Sequence, residues 1–520
     1  MLHDRMVQKL GAMALIILLK PYAIFAAVEW QKVEQAAQNT VLQVWTQGSK
    51  KSWLEPYKAP TQYQVVGTAF FINSNGDMLT NFHVVEHANF VYVHIPSGGQ
   101  KPYEVKVKGV CPEQDVALLE LTEESYKELT DLLGSIPYLT LGNSDELVKT
   151  QPVMALGYPL GSRYLKSTIG EIAGCEYMGG FSYIHMTAAI NHGNSGGPLL
   201  NRFGEVVGIN TAGVTGNSIC FILPINDISP VMKQLYLNPL YRKPRLDFRI
   251  NPATKEHIEF FNGPLPGGVF INKVLRGSLA EQMGVKEGDM LYQIKWKGNL
   301  YDIDEYGDVK VDWRITDKIS LRELMIRLEH NDPVDLVVYR DGKRLTLSTI
   351  LTDLPKYPGR YIFQDLEANE MDYEVLFGTV FMQLRQNHVF AFAETRKGKQ
   401  QAEAIKFKFE KYFEDPSKES VIITHIHNGS QLQKIQCFAP GDIINEINGK
   451  KVKNLAQLRA ALLESVKTGY ICMSIKEGPA TVLSLDKVIS EENRLSSDFG
   501  YPLTDTFKKL KTLRSSNLPR

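Results

Sequence analysis

The sequence predicts a mainly β amino-terminal region followed by two α+β modules, on three observations. From Val41 to Met232 short β-branched and aromatic runs alternate with Gly, Asn, Asp and Pro turns, the spacing of an all-β barrel or sandwich. Further on, a pattern of apolar strand, Pro/Gly-Asp turn and helix occurs once within 245–354 and again near 420–475, an internal repeat with too few copies for a solenoid. At 520 residues the chain exceeds a single core, and roughly 150 residues per domain gives about three domains.

The elements follow in order. Residues 1–27 carry Arg5 and Lys9, an apolar run from Leu10 to Leu19, Lys20-Pro21 and the small pair Ala26-Ala27, the pattern of a cleaved export signal, with a retained amino-terminal segment as the alternative. The apolar run is far shorter than the ~20 residues of a spanning helix, so no permanent membrane anchor is expected. The next unit, 28–240, holds strand candidates at Gly67 to Ile72, Phe90 to Ile95, Val105 to Val110, Pro152 to Leu156 and Gly204 to Ile209. It closes on a short helix, Ser229 to Tyr236, before Asn238-Pro239 and Lys243-Pro244 break the chain. The first α+β module, 245–354, has Gly267-Gly268-Val269-Phe270-Ile271, a Gly288-Asp289 turn and a helix candidate at Ser320 to Glu329. Residues 355–415 read as a connecting segment, aromatic at first and then charged. A second, divergent module occupies 416–490, with a strand from Ser420 to Ile426 and a helix from Leu455 to Leu463, and 491–520 reads as a carboxyl-terminal tail.

Composition narrows the function classes. With 43% hydrophobic and 22% charged residues the chain can build packed cores. Its 58 basic and 58 acidic residues cancel and no basic stripe is present, so nucleic acid is not an expected partner. Five cysteines (Cys111, Cys175, Cys220, Cys437, Cys472) lack C-x-x-C or zinc-ligand spacing and indicate neither a disulfide framework nor a metal centre. His425 and His427 face one side of a strand, but two imidazoles without a third acidic or thiol partner make poor zinc coordination. No metal and no cofactor are expected.

The chemistry concentrates in Gly193-Asn194-Ser195-Gly196-Gly197-Pro198, which sets a serine on a glycine-flanked turn. A serine hydroxyl becomes nucleophilic when a histidine takes its proton and a carboxylate orients that histidine. His83, in Thr80-Asn81-Phe82-His83-Val84-Val85, and Asp115, at the head of Asp115-Val116-Ala117-Leu118-Leu119, are the candidate general base and its orienting acid. The chain order His, Asp, Ser is that of the chymotrypsin-like double barrel, and not of subtilisin or the α/β-hydrolases. Glycine at 193, 196 and 197 permits the backbone angles of an oxyanion hole, whose expected donors are the amides of Gly193 and Ser195. His185 and His192 flank the serine and are read as structural.

These segments, with Gly157-Tyr158-Pro159-Leu160-Gly161, Thr187-Ala188-Ala189-Ile190-Asn191-His192-Gly193-Asn194-Ser195 and Gly208-Ile209-Asn210-Thr211-Ala212, closely resemble the Deg/HtrA serine proteases. The resemblance covers nearly the whole chain and is strongest to the plant-type Deg branch, given the Lys297 to Ile319 insert and Asp498-Phe499-Gly500-Tyr501-Pro502 near the end. It implies a trypsin-like double β-barrel followed by two PDZ domains, ATP-independent endoproteolysis of unfolded or damaged protein, and a periplasmic or other exported location, an organelle lumen being the alternative. It also implies trimer-based homo-oligomers, with Trp30, Trp45 and Trp53 available for packing. Ile190 and Thr211 would line a shallow apolar specificity pocket, and Gly267, Gly268, Val269 and Phe270 would capture peptide by strand addition. The second module, lacking glycines before Glu419-Ser420-Val421-Ile422, reads as an assembly or docking surface. Thr187, where the family commonly has an acidic residue, and Phe221-Ile222-Leu223-Pro224 depart from the pattern and bear on how the site switches on. The competing function is a peptide-binding chaperone or scaffold whose protease domain rests inactive.

Overall fold

The computed structural model describes residues 29–516 except 100, 179–180, 214–219, 265, 315–317, 354–355, 368–369, 396–402, 404–405, 408, 411–414 and 416–417. The expected export signal, and most of the charged stretch after 395, lie outside the described residues.

Twelve strands close into two six-stranded barrels. The first contains β1 (Val41–Lys50), β2 (Thr61–Phe71), β3 (Asp77–Thr80), β4 (Ala88–His94), β5 (Tyr103–Cys111) and β6 (Val116–Leu121), in the order β1-β2-β3-β6-β5-β4. The second contains β7 (Pro152–Gly157), β8 (Lys166–Met178), β9 (Phe181–Met186), β10 (Pro198–Leu200), β11 (Val206–Gly213) and β12 (Cys220–Pro224), in the order β10-β11-β12-β9-β8-β7. Inward and outward residues alternate where one face is wet, as in β9, where Ser182, Ile184 and Met186 are buried. One apolar cluster bridges the barrels: Phe70, Leu79 and Leu118 from the first meet Leu156, Ile209 and Leu223 from the second, and Ile228, Val231 and Leu235 of the helix Ile225–Leu237 cover them. Three loops therefore converge at this seam, those after β3, before β6 and before β10.

The first α+β module is a sheet of β13 (Phe248–Asn251), β14 (Val269–Val274), β15 (Met290–Trp296), β19 (Pro333–Arg340) and β20 (Lys343–Ile350). Strand β16 (Asn299–Asp302) pairs with β15, and β17 (Asp308–Val309) with β18 (Ile319–Ser320) forms a separate ribbon. Its helix Leu321–Ile326 is shorter than the predicted one, and the residue that ends it, Arg327, is buried against the second barrel. There the guanidinium bonds Asp145 (2.5 and 2.7 Å) and Asp227 (2.8 Å).

The carboxyl-terminal body differs from its expected boundaries. Strands β21 (Tyr373–Leu376) and β22 (Thr379–Gln383) pair with β23 (Val421–Ile426), so the segment read as a connector supplies two strands to the same sheet. Beside it lies the sheet β25-β24-β26-β27, formed by β24 (Ile444–Ile447), β25 (Lys450–Lys451), β26 (Tyr470–Ile475) and β27 (Ala480–Ser484). Leu376, Phe377 and Phe381 share one core with Val421, Leu458 and Ile471. The presumed tail is structured as well: helices Leu485–Phe499 and Asp505–Ser516 pack Phe507 and Leu510 into that core. Helix Leu455–Leu463 stands where the periodicity placed it. The body also receives residues 51–60 of the first barrel, whose Trp53 and Leu54 pack with Met382, Phe392 and Ile422.

Candidate active site

At the barrel seam the backbone is shaped before the side chains meet. Asp115 ends the turn Pro112–Gln114 in a left-handed conformation (φ 47°), and its carbonyl accepts from Phe82 N–H (3.1 Å) and from the buried Asn81 amide (3.0 Å). This holds the Asp115 backbone against the single helical turn Phe82–Val85 that carries His83. The carboxylate then receives three donors: His83 Nδ1–H at 2.8 Å, the His83 backbone N–H at 3.0 Å, and Thr211 Oγ1–H at 3.0 Å. With Nδ1 occupied as donor, Nε2 is the basic nitrogen, and the imidazole is 42% exposed on the cleft side. Burial alone would pull the imidazole pKa down. The hydrogen bond and charge of Asp115 outweigh it and hold the group above its ordinary value.

Ser195 lies on the turn before β10, a quarter-circle of close backbone approaches. A Cβ at Gly193 would lie 2.2 Å from the Tyr158 carbonyl and one at Gly196 2.0 Å from the Thr68 carbonyl, so glycine is required at both, each with φ near +90°. The carbonyl of His192 accepts from Leu160 N–H at 2.6 Å. Because N–H and C=O of one peptide point in opposite directions, the Gly193 amide is turned away from Leu160. The amides of Gly193 and Ser195 have no acceptor among the described residues, which leaves both donors free for an anionic oxygen. The serine hydroxyl itself donates to the Thr211 carbonyl at 2.5 Å, and no hydrogen bond joins it to His83. The turn thus offers two unpartnered amides, while the Ser195 hydroxyl is engaged by Thr211 and not by His83.

Thr68, which the sequence reading passed over, ties the turn to the first barrel. Its hydroxyl donates to the Gly193 carbonyl (2.7 Å) and accepts from Tyr158 N–H (3.2 Å), its own N–H donates to the Ser195 carbonyl (2.8 Å), and its carbonyl accepts from Thr80 Oγ1 (2.7 Å). An isolated threonine in a strand gives no sequence signal for this; only the docking of the two barrels creates it. Ile190 and Thr211 are buried near the serine, and Ile190 N–H donates to Cys220 Sγ at 3.1 Å. Thr187 is bonded at both its amide and its hydroxyl to the Glu171 backbone (3.0 and 2.9 Å), anchoring this segment to β8, and Phe221 packs on Tyr183 and His185.

The residues expected to capture peptide are differently placed. Val269 and Phe270 pair with Leu291 and Met290 of β15, and Phe270 also with Asn251 of β13, while Gly268 N–H donates to the Ile303 carbonyl. Among the described residues strand β14 is paired on both sides, with β13 and β15, whereas β13 and β20 end the strand order and β16 pairs on one side with β15. Gly267 and Gly268 have positive φ and form the bend into β14.

Comparison with known proteins adds an independent line. The trypsin-like peptidase domain family matches residues 67–209 and the PDZ domain family matches 364–502. A Marinomonas protein named "Probable periplasmic serine endoprotease DegP-like" is 28% identical over 418 residues, covering 78% of this chain and 76% of the relative. "Serine protease Do-like HtrB" of Bacillus subtilis is 30% identical over 295 residues (53% and 59%), and "Serine protease HTR4" of Bos taurus 32% over 248 (44% and 48%). Two of these three matches thus span under two thirds of the relative's own length. Among solved structures, "HtrA-type protease AlgW with tripeptide" aligns at 24% identity and TM-score 0.49 over 63% of this chain and 97% of that one.

Proposed function

We propose that the chain is a serine endopeptidase of the DegP/HtrA type in which His83, Asp115 and Ser195 cleave extended segments of unfolded or damaged protein, without ATP or a cofactor. The observation that carries this reading is the pair of unpartnered amides at Gly193 and Ser195, beside a histidine already oriented by a carboxylate. When a substrate carbonyl enters, Ser195 Oγ rotates off the Thr211 carbonyl and passes its proton to His83 Nε2 as it attacks. The oxyanion forms against the two amides, and His83 returns the proton to the leaving amine. Water, activated by the same histidine, then releases the acyl group. Asp115 stabilises the imidazolium throughout, while Ile190 and Thr211 give a shallow apolar pocket that discriminates weakly, about 1–3 kcal/mol per methylene.

Among the described residues no helix is long and apolar enough to cross a membrane, and relatives are named periplasmic; export through residues 1–27 follows as part of the proposal. Trimer-based assembly belongs to it too, with Trp30 and Trp45 as candidate packing residues. Trp53 is committed elsewhere, against the carboxyl-terminal body. A scaffold resting in an inactive state is the weaker reading, since the relatives are named as endoproteases; what favours it is that the Ser195 hydroxyl is bonded to the Thr211 carbonyl and not to His83.

The test is casein cleavage by the full chain and by Ser195→Ala. Loss of turnover on the order of 10⁶-fold is expected. A fluorophosphonate probe should label the native protein at Ser195; equal cleavage by the alanine variant refutes the assignment.

A further inference from the structure

The segment between β1 and β2 reaches the carboxyl-terminal body at one polar spot inside an otherwise apolar contact. Glu55 from the segment meets His425 of β23 and His427 just past its end, 370 and 372 positions further along the chain, and one potential ligand atom from each lies within 4.8 Å of the others. The third partner that two histidines lack on their own strand is thus supplied from the other end of the chain.

We propose that Glu55, His425 and His427 form a binding site for a divalent late first-row metal ion, with Zn²⁺ as its test ligand. Two imidazoles and one carboxylate are a zinc ligand set that leaves the fourth position to water. Around zinc, with bonds of about 2.0–2.2 Å, donors stand roughly 3.3 Å apart. His425 Nε2 lies 3.8 Å from Glu55 Oε1, so small side-chain rotations close the gap.

The surroundings orient the donors. The His427 ring is stacked on Phe499 (4.3 Å between centroids) and Tyr501 (5.4 Å), which fixes its plane and directs Nε2 to the Tyr57 hydroxyl. Lys58 Nζ bonds Glu55 Oε2 at 2.8 Å and leaves Oε1 facing the histidines. The Tyr57 hydroxyl bridges Glu55 Oε1 and His427 Nε2, at 2.9 Å to each, and is the group that a bound ion displaces or recruits. Thr424 Oγ1 donates to the Leu54 carbonyl at 2.8 Å and holds the segment in register with β23. A metal here would fasten residues 51–60, and hence the start of β2, to the carboxyl-terminal body.

The experiment titrates EDTA-stripped full-length protein with Zn²⁺ by calorimetry, and with Co²⁺ by absorption. One equivalent should bind, with the d–d bands of nitrogen and oxygen ligation and no thiolate charge-transfer band, which separates this site from the exposed Cys175 and Cys472. Bound Zn²⁺ should raise the thermal midpoint and slow proteolysis within 51–60. Glu55→Gln, nearly isosteric, and His425→Ala, at a half-exposed position, should each weaken binding by at least the ~10–100-fold that loss of an orienting partner costs, while Tyr57→Phe retains it. The proposal is overturned if Zn²⁺ leaves the midpoint unchanged, if both variants bind as the native chain does, or if cobalt reports thiolate.

Discussion

Among the contacts that hold downstream segments against the double barrel, two are built from opposite chemistry. The first α+β module plugs one charged residue, Arg327, between Asp145 and Asp227, with all three nearly sealed from solvent and Trp313 lying 5.2 Å over the guanidinium. The carboxyl-terminal body instead receives an apolar hook, Trp53 and Leu54, with Tyr57 beside Tyr373 and Tyr501. A buried ion contact is strict about partners, because each charge left alone is costly; an apolar contact tolerates adjustment and loses stability in proportion to area. The comparison predicts that the first contact fails abruptly and the second gradually.

Removing the plug should have the largest effect. Arg327→Ala removes the charged hydrogen-bond partner of Asp227 and the bidentate partner of Asp145, which keeps Asn226 Nδ2 (2.7 Å) and Arg314 (3.9 Å), and is expected to cost about 3–5 kcal/mol, read by denaturant unfolding together with loss of amide protection in Leu321–Ile326. Arg327→Met, which removes the same charge but fills the space, should behave similarly; a neutral result for both would show that the contact is apolar after all.

Acid should act next, and with a sign opposite to the usual ion-pair expectation. Burial pushes the Asp227 pKa up to about 6 from its ordinary 3.8, against the pull of Arg327. A carboxyl whose folded pKa is raised binds its proton more tightly when folded, so its penalty is full above pH 6 and disappears as pH falls toward 4. The contact should therefore gain on the order of 3 kcal/mol between pH 7 and pH 4 from this group, with Asp145 keeping the guanidinium. Stability followed against pH, with Asp227→Asn as the flat control, checks it; steady weakening through this window would contradict the assignment.

The hook comes third. Trp53→Ala should cost about 2 kcal/mol, less than a fully buried tryptophan, because the ring is only partly covered. Its edge-on packing against His388, at 5.3 Å, should be reported by tryptophan fluorescence. Salt is expected to matter least. Raising ionic strength from 0.05 to 0.5 M should change either contact by less than about 0.5 kcal/mol, since buried pairs are poorly screened and the ion pair beside the apolar hook, Glu55 with Lys58, contributes little.

The sequence pointed to the proposed catalytic residues because their settings are local: glycines at 193 and 196 answer to backbone clashes, and His83 and Asp115 each carry their own turn. Helix Leu455–Leu463 was legible for the same reason, an apolar face with Asn454 as its cap. What it concealed depends on pairing between distant segments. Nothing in Val269-Phe270 reveals that β13 occupies one side and β15 the other. The aromatic run before residue 395 looked like a connector because its partner strand, β23, lies some forty residues on. Thr68 and Glu55 are ordinary residues in sequence, and their neighbours come from the facing barrel and from the far end of the chain.

Thr211 touches both ends of the catalytic line, its hydroxyl on the Asp115 carboxylate and its carbonyl on the Ser195 hydroxyl. A shift of β11 would therefore act on both proposed partners at once, removing one of the three donors to Asp115 and freeing the Ser195 hydroxyl from its resting acceptor. Regulation through that strand should change how many molecules are competent and not how fast each one works. An active-site titrant would then count a varying fraction of live centres, each with the same turnover.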